Sequence, residues 1–566
     1  MLFCPDRLPL AVLSLFVLLA LSAAPAFAGQ QKARVWVADS LSKILPVTPA
    51  PAQSPEAISI DAARNEYESA QVVVTAGDQA AKVTVQIDPV TGPGGPKPRV
   101  QAAFLGFVPV KIGTKDTPPE HLVTAPPADI PDPILSKKSV ECAPGKNQPV
   151  WLTVYVPKGA APGKYSSAVH VFCGDERFSV PVSIRVRDVL LPDERTLSIT
   201  NWFSIHNVAG GDGPELWSEA FWKNLEGYAA VMASHRQNVV ITPIFDLITA
   251  TEDAGGRLTF DFSRLDRWVA LFEKAGALDI IEGGHLGGRG DWEAKDFDVH
   301  RVRTTLPDGK VKDWGKPKGT SPEQREFLSQ FLPALQAHLE KTGWLDRYVQ
   351  HIADEPIPAN AASYNTLAGM VREFAPKLKT IDATMCREVA GSVDIWVPQP
   401  PEIDQNMDFF DGRRKLGDQL WFYTCLAPRG RYMNRFIDYH LLSTRLLHWM
   451  NFKYSMPGYL HWGFNYWQGE PFTLLEPNWG GDTHLPPGDS HLVYPSARGL
   501  LLSIRLEAMR DGIEDYELLR LLSRSKDADA RQICDSVVRS MTDYTLDPSE
   551  FRKARARILD ALEKAH

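Results

Sequence analysis

"LLPDERT", residues 190–196, is where the grammar of this chain changes. Upstream, from about residue 32, the apolar stretches are short and rich in β-branched and aromatic residues: "ARVWVAD", "SAQVVVTAG", "KVTVQID", "AAFLGFVPVKI", "PVWLTVYVP", "YSSAVHVFC" and "FSVPVSIRVRDV". Pro/Gly-rich turns such as "TGPGGPKP" and "GAAPGKY" separate them. Seven short strands with no helical periodicity between them predict a β-sandwich over 32–190. Downstream, strand-like stretches alternate with helical ones. The strands are "SITNWFSIH", "NVVITPIF", "LDIIEGGHL", "RYVQHIADEP", "TIDATMC", "VDIWVPQP", "QLWFYTC" and "GYLHWGFNYW". Helical patterns fall at 215–234, 263–276, 321–342, 360–375 and 438–452, with another within 401–415 and a long one from Ser496. Eight strands with intervening helices predict a (β/α)8 TIM-like barrel over 197–525, with a short helical C-terminal tail at 527–566. A doubly wound open sheet is the alternative. It lacks support, because no glycine fingerprint follows the first strand and "GGHLGGRG" has the wrong spacing.

The chain has 566 residues, more than one hydrophobic core usually serves. Its formal charge of -8 and absence of a basic run exclude a nucleic-acid partner. The N-terminus reads as an export signal over 1–28: Arg7, the apolar run "LPLAVLSLFVLLAL" and the small-residue site "AFA" at 26–28. The expectation is an exported protein, periplasmic or extracellular, starting near Gly29. No later segment is long and apolar enough for stable membrane insertion. Five cysteines remain, so disulfides are possible and at least one thiol is free. Cys142 with Cys173 is a better pair than Cys386 with Cys425. None has metal-ligand spacing, and neither a metal nor a cofactor is expected. The 15 tryptophans are notable, because indole faces suit the apolar faces of sugars.

Within the barrel pattern, "HIADEP" at 351–356 ends the fourth strand with Asp354 and Glu355 side by side. Barrel chemistry sits at the C-terminal ends of strands, where two neighbouring carboxylates resist ionising together. Strict alternation would point them to opposite faces, so both reach a pocket only if the strand breaks there. Pro356 ends the ladder and is expected to hold Glu355 extended.

Several stretches together carry a family resemblance: "HIADEP", "WFYTC" (421–425), "WGFNYWQ" (462–468), "RLEAMRDGIEDYELL" (505–519) and "NEYESAQVVV" (65–74). The chain resembles glycoside hydrolase family 123 over nearly its whole mature length. The resemblance implies an exo-acting, retaining β-N-acetylgalactosaminidase, its substrate a glycan or glycolipid with a terminal β-linked N-acetyl amino sugar. A conventional retaining glycosidase needs a carboxylate nucleophile facing its acid, which "WFYTC" does not supply. The sugar's own acetamido oxygen then serves, forming an oxazolinium intermediate. Asp354 would orient the acetamido group and Glu355 would be acid and then base. Candidate sugar contacts are Tyr423 for the acetamido oxygen, Trp462 and Trp467 as walls, and Asn465 for hydroxyls. His206 and Asn207 after the first strand and His285 and Arg289 after the third complete the set. His351 is expected to hydrogen-bond inside the barrel. Two rivals stay open: an exo-glycosidase for a sugar without an acetamido group, using Glu470 or Glu402 as nucleophile, and a non-catalytic carbohydrate-binding surface protein.

Overall fold

The computed structural model describes residues 32–210, 213–315, 317–497 and 499–564. The export signal at 1–28 lies outside the described residues. The first unit is a sandwich of two five-stranded sheets. One runs β1 (Arg34–Ala38), β3 (Glu66–Thr75), β8 (Asn147–Val156), β5 (Arg99–Val110) and β6 (Ala128–Leu135). The other runs β2 (Ile58–Arg64), β10 (Glu176–Leu190), β9 (Gly163–Cys173), β4 (Ala81–Ile87) and β7 (Ser139–Cys142). Three strands exceed the seven read from sequence. One of them, β6, carries Pro131 and Pro133, which its place at a sheet edge tolerates. The inner faces meet in a core of small and branched side chains including Val72, Val74, Val150, Leu152, Val169 and Ile184.

The expected Cys142–Cys173 bridge is not made, and all five cysteines in the described residues are free. Cys142 pairs with Ala81 and Cys173 with Val83, so β4 runs between them. Two strand spacings, roughly 9–10 Å, exceed the reach of a disulfide.

The second unit is an eight-stranded TIM-like barrel. Among the described residues, turns and no helix join its fifth strand to its sixth, so the expected (β/α)8 repeat is one helix short. Its strands are Ser198–Asn201, Val239–Thr242, Ile280–Gly283, Tyr348–Gln350, Lys379–Thr384 and Ile395–Pro398, then a seventh in two pieces and Gly458–His461. The seventh breaks at Trp421: Gln419–Leu420 pairs with the sixth strand and Phe422–Tyr423 with the eighth. The first and eighth strands pair in parallel, closing that side of the ring. Between the first and second, Asn238 acts as the rung, its Oδ1 accepting from Ile199 N–H (2.8 Å) while its own N–H donates back (3.3 Å). The barrel interior is filled by Val239, Val349, Ile381, Val397, Trp421 and Leu460 among others.

The last barrel helix spans Ile504–Val537 with a non-helical kink at Lys526, and a further helix, Pro548–Glu563, follows. The kink falls where the sequence reading ends the barrel at 525 and begins the tail at 527. Tyr494–Ser496 and Gly499–Leu501 form a hairpin, so the long helix starts at Ile504, capped by the Ser503 side chain, and not at Ser496.

"RLEAMRDGIEDYELL" lies on this helix, and all seven of its charged side chains are buried. They form the seam between sandwich and barrel. Arg505 grips Asp132 of β6 with two bonds of 2.9 Å. Glu507 accepts from Thr153 of β8 (3.1 Å), and Glu514 accepts from the backbone of Tyr67 (2.8 Å) and pairs with Arg236 (2.8 Å). Asp515 is bound by Arg445 (2.7 Å) and Arg555 (3.0 Å), which also reach Glu68 and Glu66 on β3. Glu517 accepts from the Thr196 and Leu197 N–H groups at the entry to the barrel. Gly512 is required by close crossing: a Cβ there would stand 2.3 Å from the Arg445 carbonyl oxygen.

Candidate active site

Asp354 and Glu355 face a cleft of about 510 Å³ at the C-terminal ends of the barrel strands. Trp202, Trp292, Tyr423, Trp462, Tyr466 and Trp479 wall it. Among the described residues lining it, these two are the carboxylates. They share the cleft because the strand breaks: regular pairing ends at Gln350, and Glu355 takes φ +47°. The expected extended Glu355 is thus corrected. Proline disfavours the right-handed helical region for the residue before it, and Glu355 takes the left-handed side, which costs a non-glycine residue roughly 1–2 kcal/mol. Its N–H donates to Ala383 O (3.1 Å), so the fifth strand holds the turn.

Tyr423 Oη donates a short hydrogen bond to Glu355 Oε1, and Gln399 Nε2 donates to Tyr423 Oη (3.0 Å). Burial, then Glu355, keeps the phenol well above its usual pKa, so it remains a donor. Arg289 Nη2 donates to the Asp354 carbonyl oxygen (2.9 Å) and stands 3.8 Å from Glu355 Oε2, with its guanidinium over the Trp292 ring at 3.9 Å. Enclosure in the cleft, then repulsion by Glu355 and Asp382, pushes Asp354 up to about 7. Its side chain stays 47% open to the cleft, so a ligand reaches it and the two fixed carboxylates are the durable part of that push.

Beneath the pair lies a buried chain. His351 sits between Glu282 Oε1 and Asp382 Oδ1, 2.7 Å from each. Burial opposes its charge, but these two bonds outweigh it and raise His351 to about 10. Glu282 also accepts from Trp202 Nε1 (2.8 Å) and Thr200 (2.6 Å), and Asp382 from Tyr364 (2.5 Å) and Ile352 N–H (2.9 Å). His285 stands above, edge-on to Trp202 with its Nε2 facing Asp354 and Asp382. Gly283, two residues before it at the end of the third strand, has no room for a side chain: a Cβ would lie 2.0 Å from Tyr348 Oη. His285, His351 and Asp382 offer ligand atoms within 4.8 Å of one another, a grouping that fits a cation. Both ring nitrogens of His351 are already engaged by carboxylates, so a cation there would have to displace one of those hydrogen bonds.

Several expected sugar contacts stand elsewhere. Asn465 is fully buried and spends its amide on Ser204 N–H (2.7 Å) and Ser204 O (3.2 Å). Asn207 donates to the carbonyls of Asn465 (2.7 Å) and Trp467 (3.3 Å), tying the first strand's exit to the eighth's. Trp467 donates to Val493 O and packs on the main core, and His206 is exposed outside the cleft wall. Past His461 the chain leaves its strand, so Trp462 and Tyr466 reach the cleft while the residues between and after them turn away. Glu470 caps its own turn, and Glu402 bonds Asn406 and pairs with Arg387; neither lines the cleft. Sequence reasoning missed Trp202, Gln399, Tyr466, Glu282 and Asp382. A carboxylate inside each of two apolar strands, "LDIIEGG" and "TIDATMC", was the available signal. Trp292 stands in a turn and Trp479 on a short hairpin strand, Asn478–Gly480, 47% and 51% exposed, and nothing periodic marks them.

An eight-stranded barrel with adjacent carboxylates on the floor of an aromatic cleft, behind a β-sandwich, is the build of a glycoside hydrolase. The family model described as "Glycoside hydrolase 123, catalytic domain" matches residues 202–522, and the "Glycoside hydrolase 123 N-terminal domain" matches 47–172. The chain belongs to glycoside hydrolase family 123. Among solved structures it is similar to a family 123 glycoside hydrolase from Clostridium perfringens, described for glycolipid glycan hydrolysis. Identity is 16% and the TM-score 0.74, over 94% of this chain and 98% of that one. A GH10 xylanase with a bacterial Ig-like domain, from termite gut, follows at 12% identity and TM-score 0.32, covering 82% and 100%. That likeness is too loose to carry anything further. No curated protein matches.

Proposed function

We propose that this chain is an exported, exo-acting, retaining β-N-acetylhexosaminidase, with terminal β-linked N-acetylgalactosamine as its preferred sugar and catalysis assisted by the substrate. One observation carries the reading: the described cleft offers carboxylates from two consecutive residues, which cannot straddle an anomeric carbon as acid and nucleophile must. The nucleophile then comes from the sugar. With Asp354 pushed up to about 7, the pair retains a proton near neutral pH. An acetamido N–H against Asp354 favours its ionised form and leaves the proton with Glu355. Glu355 donates that proton to the glycosidic oxygen as the C1–O bond breaks and the acetamido oxygen bonds C1 from the opposite face. Asp354 stabilises the positive charge that develops on the oxazolinium nitrogen. Water then attacks C1, giving its proton to Glu355 and regenerating the acetamide. The similar Clostridium perfringens enzyme and its glycolipid glycans support a glycan or glycolipid as the natural substrate.

Paired aryl β-glycosides with a 2-acetamido or a 2-hydroxyl group test this. Expected are turnover of the first, far slower turnover of the second, and competitive inhibition by a thiazoline analogue of the cyclised intermediate. A covalent sugar trapped on a carboxylate by a 2-fluoro glycoside would overturn the reading.

A further inference from the structure

The mechanism leans on an ionised Asp354, yet no described residue donates a hydrogen bond to its carboxylate. Arg289 engages the Asp354 carbonyl oxygen instead. Glu355 beside it and Asp382 on the fifth strand both oppose its charge. Tyr423 on the seventh strand is committed to Glu355, and Cys425 and Tyr466, both pushed up by burial first, stay neutral. His351⁺ below helps from a distance but spends both N–H groups elsewhere.

His285 is the exception. Its Nε2 is buried, has no hydrogen-bond partner, and stands 4.0 Å from Asp354 Oδ1 and 3.7 Å from Asp382 Oδ1. A buried polar atom left unpaired costs about 1–3 kcal/mol, so what satisfies it is informative. Asp382 already accepts from His351, Tyr364 and the Ile352 N–H. Asp354 is the neighbour with lone pairs to spare. Burial, then His351 and His300, holds His285 neutral, so it donates without competing for the pair's proton. The ring is fixed edge-on to Trp202 at 5.3 Å and lies 4.5 Å from His351.

We propose that His285 is a positioning residue for the catalytic pair: in the substrate complex its Nε2–H closes onto Asp354 Oδ1 and holds that carboxylate ionised toward the acetamido N–H. The inference rests on the substrate-assisted reading. Closure needs a shift of about 1 Å, in keeping with catalytic hydrogen bonds that are long in the free enzyme and tighten on binding.

The test compares His285→Phe, which keeps a ring and removes the donor, with His285→Gln, which keeps a donor of similar reach. The readout is kcat against pH, at saturating concentrations of the aryl glycoside that the wild type turns over best, because the bond is made in the substrate complex. Without the donor, Asp354 ionises at higher pH. In H285F the acid limb should therefore move up by about one pH unit, with a loss of roughly tenfold near pH 6, and H285Q should keep the wild-type limb. If H285F does not fold, His285→Asn, whose amide stops short of Asp354, takes its place. A rate loss with an unmoved acid limb, an H285Q limb shifted as far as that of H285F, or a stoichiometric metal whose chelation abolishes turnover would each overturn the proposal. The 2-acetamido against 2-hydroxyl comparison uses the wild type alone, so failure of the mechanism is read separately from failure of His285.

Discussion

Two clusters of buried charge organise this molecule, and they are balanced in opposite ways. At the seam, Glu66, Glu68, Asp511 and Asp515 interlock with Arg445, Arg552 and Arg555, and each carboxylate meets a guanidinium or hydroxyl. In the cleft, Asp354 and Glu355 face one guanidinium, whose shorter contact is to a backbone oxygen. The seam holds protons too, since burial pushes Glu66 up to about 8 and Asp511 up to about 7, but its side chains are closed off and no ligand reaches them. A cleft left short of positive charge keeps a proton that a substrate can move.

Removing a cation from the balanced cluster should have the largest effect. Arg445→Met removes the central cation and leaves the buried Glu68 to the guanidinium groups of Arg552 and Arg555 and Asp515 to that of Arg555; breaking a buried pair on one side costs about 3–5 kcal/mol. Urea unfolding should register that loss, and a change below about 1 kcal/mol would mean the seam rearranges. Substitution in the cleft should instead spare stability and remove chemistry. Glu355→Gln should lower kcat/KM by about 100-fold or more on aryl glycosides with poor leaving groups and less on activated ones. Equal, mild losses across a leaving-group series would remove Glu355 from the acid role.

The smallest effect is the most diagnostic of imbalance. Asp354 is raised from 3.8 to about 7, so between those values the folded state keeps a proton that the unfolded chain has lost. Stability therefore falls as pH rises through that window. Asp354→Asn has no such penalty. Its Tm should match the wild type near pH 4 and exceed it by pH 8, as scanning calorimetry can follow; a gap independent of pH would place the raised pKa elsewhere.

Much of this was legible in the residues. The switch at "LLPDERT" and the alternation of eight strands with helices are local signals, because side-chain periodicity is set by backbone geometry over a few residues. The adjacency of Asp354 and Glu355 was visible too, and a strand-end position made it informative. Less legible was the part played by "RLEAMRDGIEDYELL". Its text marks the family, yet its charges serve the seam with the sandwich, which begins more than 300 residues earlier in the chain.

The sequence by itself determined the two architectures, their order, and the pair of acids on the fourth strand, since each follows from short-range pattern. Tertiary structure alone decided which side chains beyond the strand ends enter the cleft. Trp462 and Tyr466 do and Asn465 and Trp467 do not, because the chain has left the period-two regime there and packing sets the direction. It likewise placed Asp382, His351 and His285 beneath Asp354, from strands and a loop spread over about a hundred residues. Their effect on its charge is one of distance and burial, which only the closed barrel brings about.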